Sequence, residues 1–169
     1  MVTRLSDLLE TNLAAFLAVL AACLYLLWLA VVLSVIDIRT HTLPDRHVLP
    51  AYPVAAVWLM GAALMAGTPQ LVLGVVGGAV GMGALYWLLW VIYPAGMGFG
   101  DVKLAGVLGI FLGYLGWQHV LLGLAAGFVA GGLWGVALIA SRRGTAKSAI
   151  PFGPAMLAGA LATMVLVPA

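Results

Sequence analysis

The chain has 169 residues, of which 65% are hydrophobic and only 7% charged, with a formal net charge of +2. A soluble domain carries about a quarter charged residues, so this balance excludes a soluble enzyme and defines a membrane protein. The single cysteine, Cys23, falls inside the first long apolar run. An internal disulfide and cysteine-ligated zinc are thereby excluded, and the thiol reads as a small packing residue. Residues 1–10 carry Arg4, Asp7 and Glu10 and read as an exposed segment outside the membrane. The run behind them is too long for the core of a cleavable signal peptide, so it is read as a retained first helix.

That first helix covers residues 13–36 and stops at "DIRTHTLPDRH", the most polar stretch of the protein. From residue 48 to residue 100 no charge appears, and "GTPQ" at 67–70 divides this region into a second and a third helix. "YPAGMGFG" then interrupts the chain ahead of Asp101. Residues 104–115 alone would make about 18 Å of helix against a hydrocarbon core of about 30 Å. For the fourth helix to span, it must begin near Asp101, which puts that carboxylate in its first turn at the membrane boundary. Residues 120–140 form a fifth helix, "SRRGTAKS" a basic loop, and residues 150–167 a sixth.

The expected fold is therefore an all-α polytopic membrane protein, one domain over residues 1–169, with six transmembrane helices. Six helices bring the loops of Asp37, Asp101 and Arg142 to one face. Those loops hold Arg39, Arg46, Lys103, Arg142, Arg143 and Lys147, six of the seven basic residues. The positive-inside rule makes that face cytoplasmic and leaves both termini outside. Gly123, Gly127, Gly131 and Gly135 recur every four residues on the fifth helix and read as a close-packing face rather than a gate.

Of the five acidic residues, Asp37, Asp45 and Asp101 remain candidates for chemistry. Asp37 falls in the last turn of the first helix and Asp101 in the first turn of the fourth, on the same side. Ionisable groups at membrane depth are costly and point to function. Two carboxylates brought together share one proton, the condition for aspartyl-protease chemistry without metal or covalent intermediate. The glycines before Asp101 would let an extended substrate backbone approach, or would simply mark a helix start. Asp45 follows Pro44 where a helix cap is expected, and a structural role is favoured for it. Lys103 either stabilises an ionised Asp101 or snorkels toward phosphates. A metal site of His41, His47, Asp37 and Asp45 carries little weight, because no repeated helical histidine spacing supports it; no metal or other cofactor is expected.

"GFGDVKLAG" resembles the G-x-G-D-x-K-L signature of type IV prepilin peptidases and archaeal preflagellin peptidases, GxGD-type intramembrane aspartyl proteases. "VIDIRTHTLPD" is similar to the segment carrying their first catalytic aspartate, and "IPFGPAMLAGAL" resembles their carboxy-terminal motif. The resemblance implies that Asp37 and Asp101 are the catalytic pair, that Gly98 and Gly100 shape the active-site loop, and that Pro151, Gly153 and Pro154 help build the site, with Lys103 in support. It implies pilin-like precursors as partners, cut after a glycine that follows a short basic leader. The bilayer of the cytoplasmic (inner) membrane is the surrounding medium, and no nucleic acid is involved. Larger members that also methylate carry an additional amino-terminal portion and a long loop with paired cysteines, so a peptidase-only enzyme is expected.

Readings from other classes are a small proton-coupled transporter using Asp37 and Asp101 as a relay, and an inactive assembly factor. Transporters place ionisable groups near the midplane, often with internal repeats. Here both aspartates fall at one boundary and no repeat is seen. Presenilin-like proteases share the GxGD-type site, but "PFGP" and the D-x-R start of the first loop favour the prepilin branch.

Overall fold

A computed structural model describes residues 1–141 and 151–169. Among them the chain is all helical: α1 (Val2–Thr11), α2 (Leu13–Thr40), α3 (Asp45–Met65), α4 (Gln70–Ile92), α5 (Phe99–Leu115), α6 (Trp117–Ala140) and α7 (Gly153–Leu166), with a short 3-10 turn at Pro94–Gly96. All six predicted apolar helices form, and a seventh, α1, occupies the segment expected only to be exposed. Asp7 and Glu10 do lie exposed on α1. Among the described residues four helices are long and apolar enough to cross a membrane, α2, α3, α4 and, over Trp117–Ala137, α6. The structure thus supports a protein of several passes. By length α5 and α7, about 26 and 21 Å at 1.5 Å per residue, fall short of the hydrocarbon thickness. The basic loop predicted at 141–148 lies, apart from Ser141, outside the described residues.

Local chemistry sets the breaks. Asn12 is extended and its side chain accepts from the Ala15 amide, capping α2 and separating it from α1. At the other end of α2, His41 adopts the left-handed region (φ 53°) and its amide bonds the Asp37 carbonyl, which stops the helix one turn past Asp37. Gly116, at φ 119°, makes the sharp joint between α5 and α6, a conformation that side chains rarely adopt.

The short helix α5 is the centre of the bundle. It packs against α3, α4, α6 and α7, and every residue from 104 to 114 is buried. Its contact with α4 is backbone to backbone. A Cβ on Gly109 would collide with the carbonyl oxygen of Gly78, and one on Gly113 with that of Gly74. Small residues four apart on both helices permit this approach, which dispersion then rewards. The glycine face of α6 also packs as expected. Gly123 lies against Leu112, Gly131 against Phe152, and Gly127 against α7, where a Cβ on Gly159 would collide with the Gly127 amide.

Candidate active site

Asp37 and Asp101 are buried, at 4% and 7% relative exposure, and both line one open cavity of about 450 Å³ at one end of the bundle. Helix ends place them. Asp37 stands in the last turn of α2, as expected, and Asp101 is the third residue of α5. Among the described residues each carboxylate takes one main-chain hydrogen bond: the amide of Gly98 donates to Oδ2 of Asp101 at 3.2 Å, and that of Gly153 donates to Oδ2 of Asp37 at 3.0 Å. Both donors open helices, Gly98 as N-cap of α5 and Gly153 as first residue of α7. The unpaired amides and positive dipole end there favour negative charge, which offsets part of the cost of burying it. Among the described residues neither aspartate forms an ion pair.

The remaining lining comes from His41, Thr42 and Leu43 after α2, from Pro94, Gly96, Met97 and Gly98 ahead of α5, from Phe99 and Gly100 at its start, and from Pro151 and Phe152 before α7. Three segments distant in sequence therefore meet around the two carboxylates. Glycine is needed at two of the junctions for space. A Cβ on Gly100 would come within 2.8 Å of the Leu43 Cβ, and one on Gly153 within 2.9 Å of Asp37 Oδ2. Gly100 thus makes room for the α2–α3 loop, a packing reason distinct from the substrate approach read from the sequence. Phe152, which sequence reasoning did not single out, rests on Phe128 at 5.6 Å and Tyr86 at 6.4 Å between ring centroids. Its position inside "PFGP" was the available signal.

Not every predicted residue reaches the cavity. Pro154 lies in α7 beside two apolar clefts and not on the carboxylate cavity. Pro151 lines both the cavity and the first of those clefts. The ammonium of Lys103 lies on Asp45, 2.7 Å away, rather than on Asp101. Asp45 is correspondingly not a side-chain cap: Pro44 is the N-cap of α3, and the Asp45 carboxylate faces Lys103. His41 lines the cavity, whereas the His47 ring lies 6.3 Å from Trp28. Among the described residues no group of three or more His, Cys, Asp or Glu is placed to hold a metal ion.

Fold and site together define a helical membrane protein of several passes with a carboxylate pair in a cavity at one end of its bundle. The chain belongs to the type IV leader peptidase family, whose profile matches residues 23–136. It is 34% identical over 135 residues to a prepilin leader peptidase/N-methyltransferase of Aeromonas salmonicida (strain A449), covering 79% of this chain and 45% of that protein. A protein of the same description from Pseudomonas putida is 36% identical over 147 residues, 82% of this chain and 48% of its own. One from Burkholderia pseudomallei (strain K96243) is 35% identical over 156 residues, 89% of this chain and 46% of its own. The chain thus spans just under half the length of these relatives. No solved structure matches it.

Proposed function

We propose that this chain is an intramembrane aspartyl endopeptidase that removes the leader from pilin-like precursors, with Asp37 and Asp101 as the catalytic pair. The observation that carries the reading is the burial of these two carboxylates in one open cavity, each accepting from a helix-opening amide, in a member of the leader peptidase family. Family membership favours proteolysis over the proton relay weighed from the sequence. The proposal covers proteolysis alone and assigns no methyl transfer to these residues.

The chemistry follows from what two neighbouring carboxyl groups can do with one proton between them. The ionised one takes a proton from a water molecule as its oxygen attacks the scissile carbonyl carbon. The protonated one donates to the carbonyl oxygen, stabilising the charge that develops there. Collapse of the tetrahedral gem-diol breaks the C–N bond: one of its hydroxyls returns a proton to the second carboxylate, and the proton held by the first carboxyl group passes to the leaving amine. Neither a metal nor a covalent enzyme intermediate is required. Gly98 and Gly153 supply the amides that fix the two carboxylates, while Gly100 and Pro151 shape the cavity around them.

In the same reading residues 1–169 form one membrane-embedded unit in the cytoplasmic membrane, with six crossings and both termini outside, and the cavity opens to the cytoplasm. Charge distribution supports this: Arg39, Arg46 and Lys103 lie toward the cavity end, whereas Arg4 bonds Thr68 in the α3–α4 turn at the other. The short α5 and α7 cross because α5 is sheathed by other helices and meets little lipid, and because the bilayer thins locally at short helices.

The test is co-expression with a pilin-like precursor, comparing wild type with Asp37→Ala and Asp101→Ala. Cleavage should be lost in both. Persistence in either single variant overturns the pair, and loss only in Asp45→Ala would move the assignment to the loop carboxylate.

A further inference from the structure

Lys103 follows Asp101 by two residues on α5, so the two side chains leave the helix about 200° apart. The cavity lies on the Asp101 side. On the Lys103 side several contacts converge. Its ammonium donates to both carboxylate oxygens of Asp45, at 2.7 and 2.8 Å, and stands 5.1 Å from the centroid of the Phe99 ring one turn earlier. Its main-chain carbonyl accepts from the Tyr52 hydroxyl at 2.7 Å. Asp45 and Tyr52 both belong to α3, and Gly106 leaves the phenol its space, since a Cβ there would collide with the hydroxyl. Phe99 in turn meets Trp90 of α4 edge-on at 5.1 Å. One residue of α5 is therefore gripped from α3 by an ion pair and a hydrogen bond, and linked to α4 through a ring.

The need for such a grip follows from the local chain. The segment leading into α5 contains Gly96 and Gly98, which resist bending poorly, and the first-turn amides of a helix lack intrahelical partners. A solvent-exposed ion pair by itself holds little, but a bidentate pair joined to a ring contact and a hydrogen bond on the same residue forms a network. We propose that Lys103 is a positioning residue, which clamps the first turn of α5 to α3 so that the Asp101 carboxylate stays in the cavity. The proposal rests on the reading of Asp101 as a catalytic carboxylate.

The experiment uses the full chain in detergent with a pilin-like precursor, and measures both kinetics and amide hydrogen exchange over residues 99–106. Lys103→Met should lower kcat between about 10- and 100-fold, the range a displacement of the order of 1 Å produces, with KM nearly unchanged. Exchange at the amides of residues 103–106, which bond back to the first-turn carbonyls of α5, should rise in the same variant. Lys103→Arg, which keeps a cation for Asp45 and Phe99, should retain most of kcat. Asp45→Leu should behave as Lys103→Met does, and the double variant should be no worse than either single, because both remove one interaction. Wild-type kcat and exchange in Lys103→Met overturn the clamp, as do fully additive losses in the double variant or an equal loss in Lys103→Arg. Should the wild type not cleave the precursor, the peptidase reading fails, while exchange in Lys103→Met still decides whether Lys103 holds the turn.

Discussion

The amide of Gly153 donates to the carboxylate of Asp37 at 3.0 Å, joining the start of α7 to the end of α2 across 116 residues of sequence. The same residue leaves no room for a side chain, since a Cβ would stand 2.9 Å from Asp37 Oδ2 and 3.3 Å from Leu43. Gly153→Ala must therefore push the carboxylate or lift α7 away from it. Activity on a pilin-like precursor is expected to fall by about 10- to 100-fold, as for other small misplacements of a catalytic group. Thermal unfolding in detergent should change little, because the alanine suits a helical position and the contact is local.

Gly100 supports a sharper prediction, because its obstacle is a backbone-proximal atom. The Cβ of Gly100→Ala would meet the Leu43 Cβ at 2.8 Å. Leu43→Ala keeps that colliding atom, so the double variant Gly100→Ala/Leu43→Ala should remain as impaired as Gly100→Ala. Leu43→Gly removes the atom and should restore part of the activity. Rescue by Leu43→Ala would show that bulk further along the side chain, not the close approach of the loop, is what matters.

Asparagine separates charge from shape at the two aspartates. Asp37→Asn and Asp101→Asn each retain an oxygen able to accept from Gly153 or Gly98. Both variants should be folded, with melting temperatures near that of the wild type. Cleavage should fall by at least about 100-fold in each, since general acid–base transfer contributes between about 10² and 10⁴. Substantial cleavage by either folded variant would remove that aspartate from the proposed chemistry.

The places of Asp37 in the last turn of α2 and of Asp101 in the first turn of α5 were legible because the length of an apolar run marks where a helix must start and stop. Their convergence on one cavity was legible as a consequence of helix parity. The Lys103–Asp45 pair was not, because the partners stand 58 residues apart and a lone lysine near an aspartate offers nearer partners on paper. Nor did the sequence reveal that α5 is central. In a membrane, lipid is as apolar as a leucine side chain, so a sheathed helix and a lipid-facing one have similar compositions. α1 escaped because Arg4, Asp7 and Glu10 gave residues 1–10 the polarity of an exposed tail, though their apolar neighbours Met1 and Leu8 are buried.

That hidden centrality makes the α4–α5 seam a test of the fold itself. At Gly109 a Cβ would collide with the Gly78 carbonyl oxygen and lie 2.9 Å from the Ala79 amide nitrogen, both main-chain atoms that no rotamer change can move. Gly109→Ala must separate two helices along a contact that also involves Gly74 and Gly113, costing about 1–3 kcal/mol or more as overpacking does. Gly61 on α3 provides the control, since nothing lies within 4 Å of its Cβ position. There the same substitution should be neutral or slightly stabilising, because alanine favours a helix over glycine by up to about 1 kcal/mol. Thermal unfolding of the two variants in one detergent reads the difference directly. Equal melting temperatures would mean that α4 and α5 do not pack through their glycines, and would unseat α5 from the centre of the bundle.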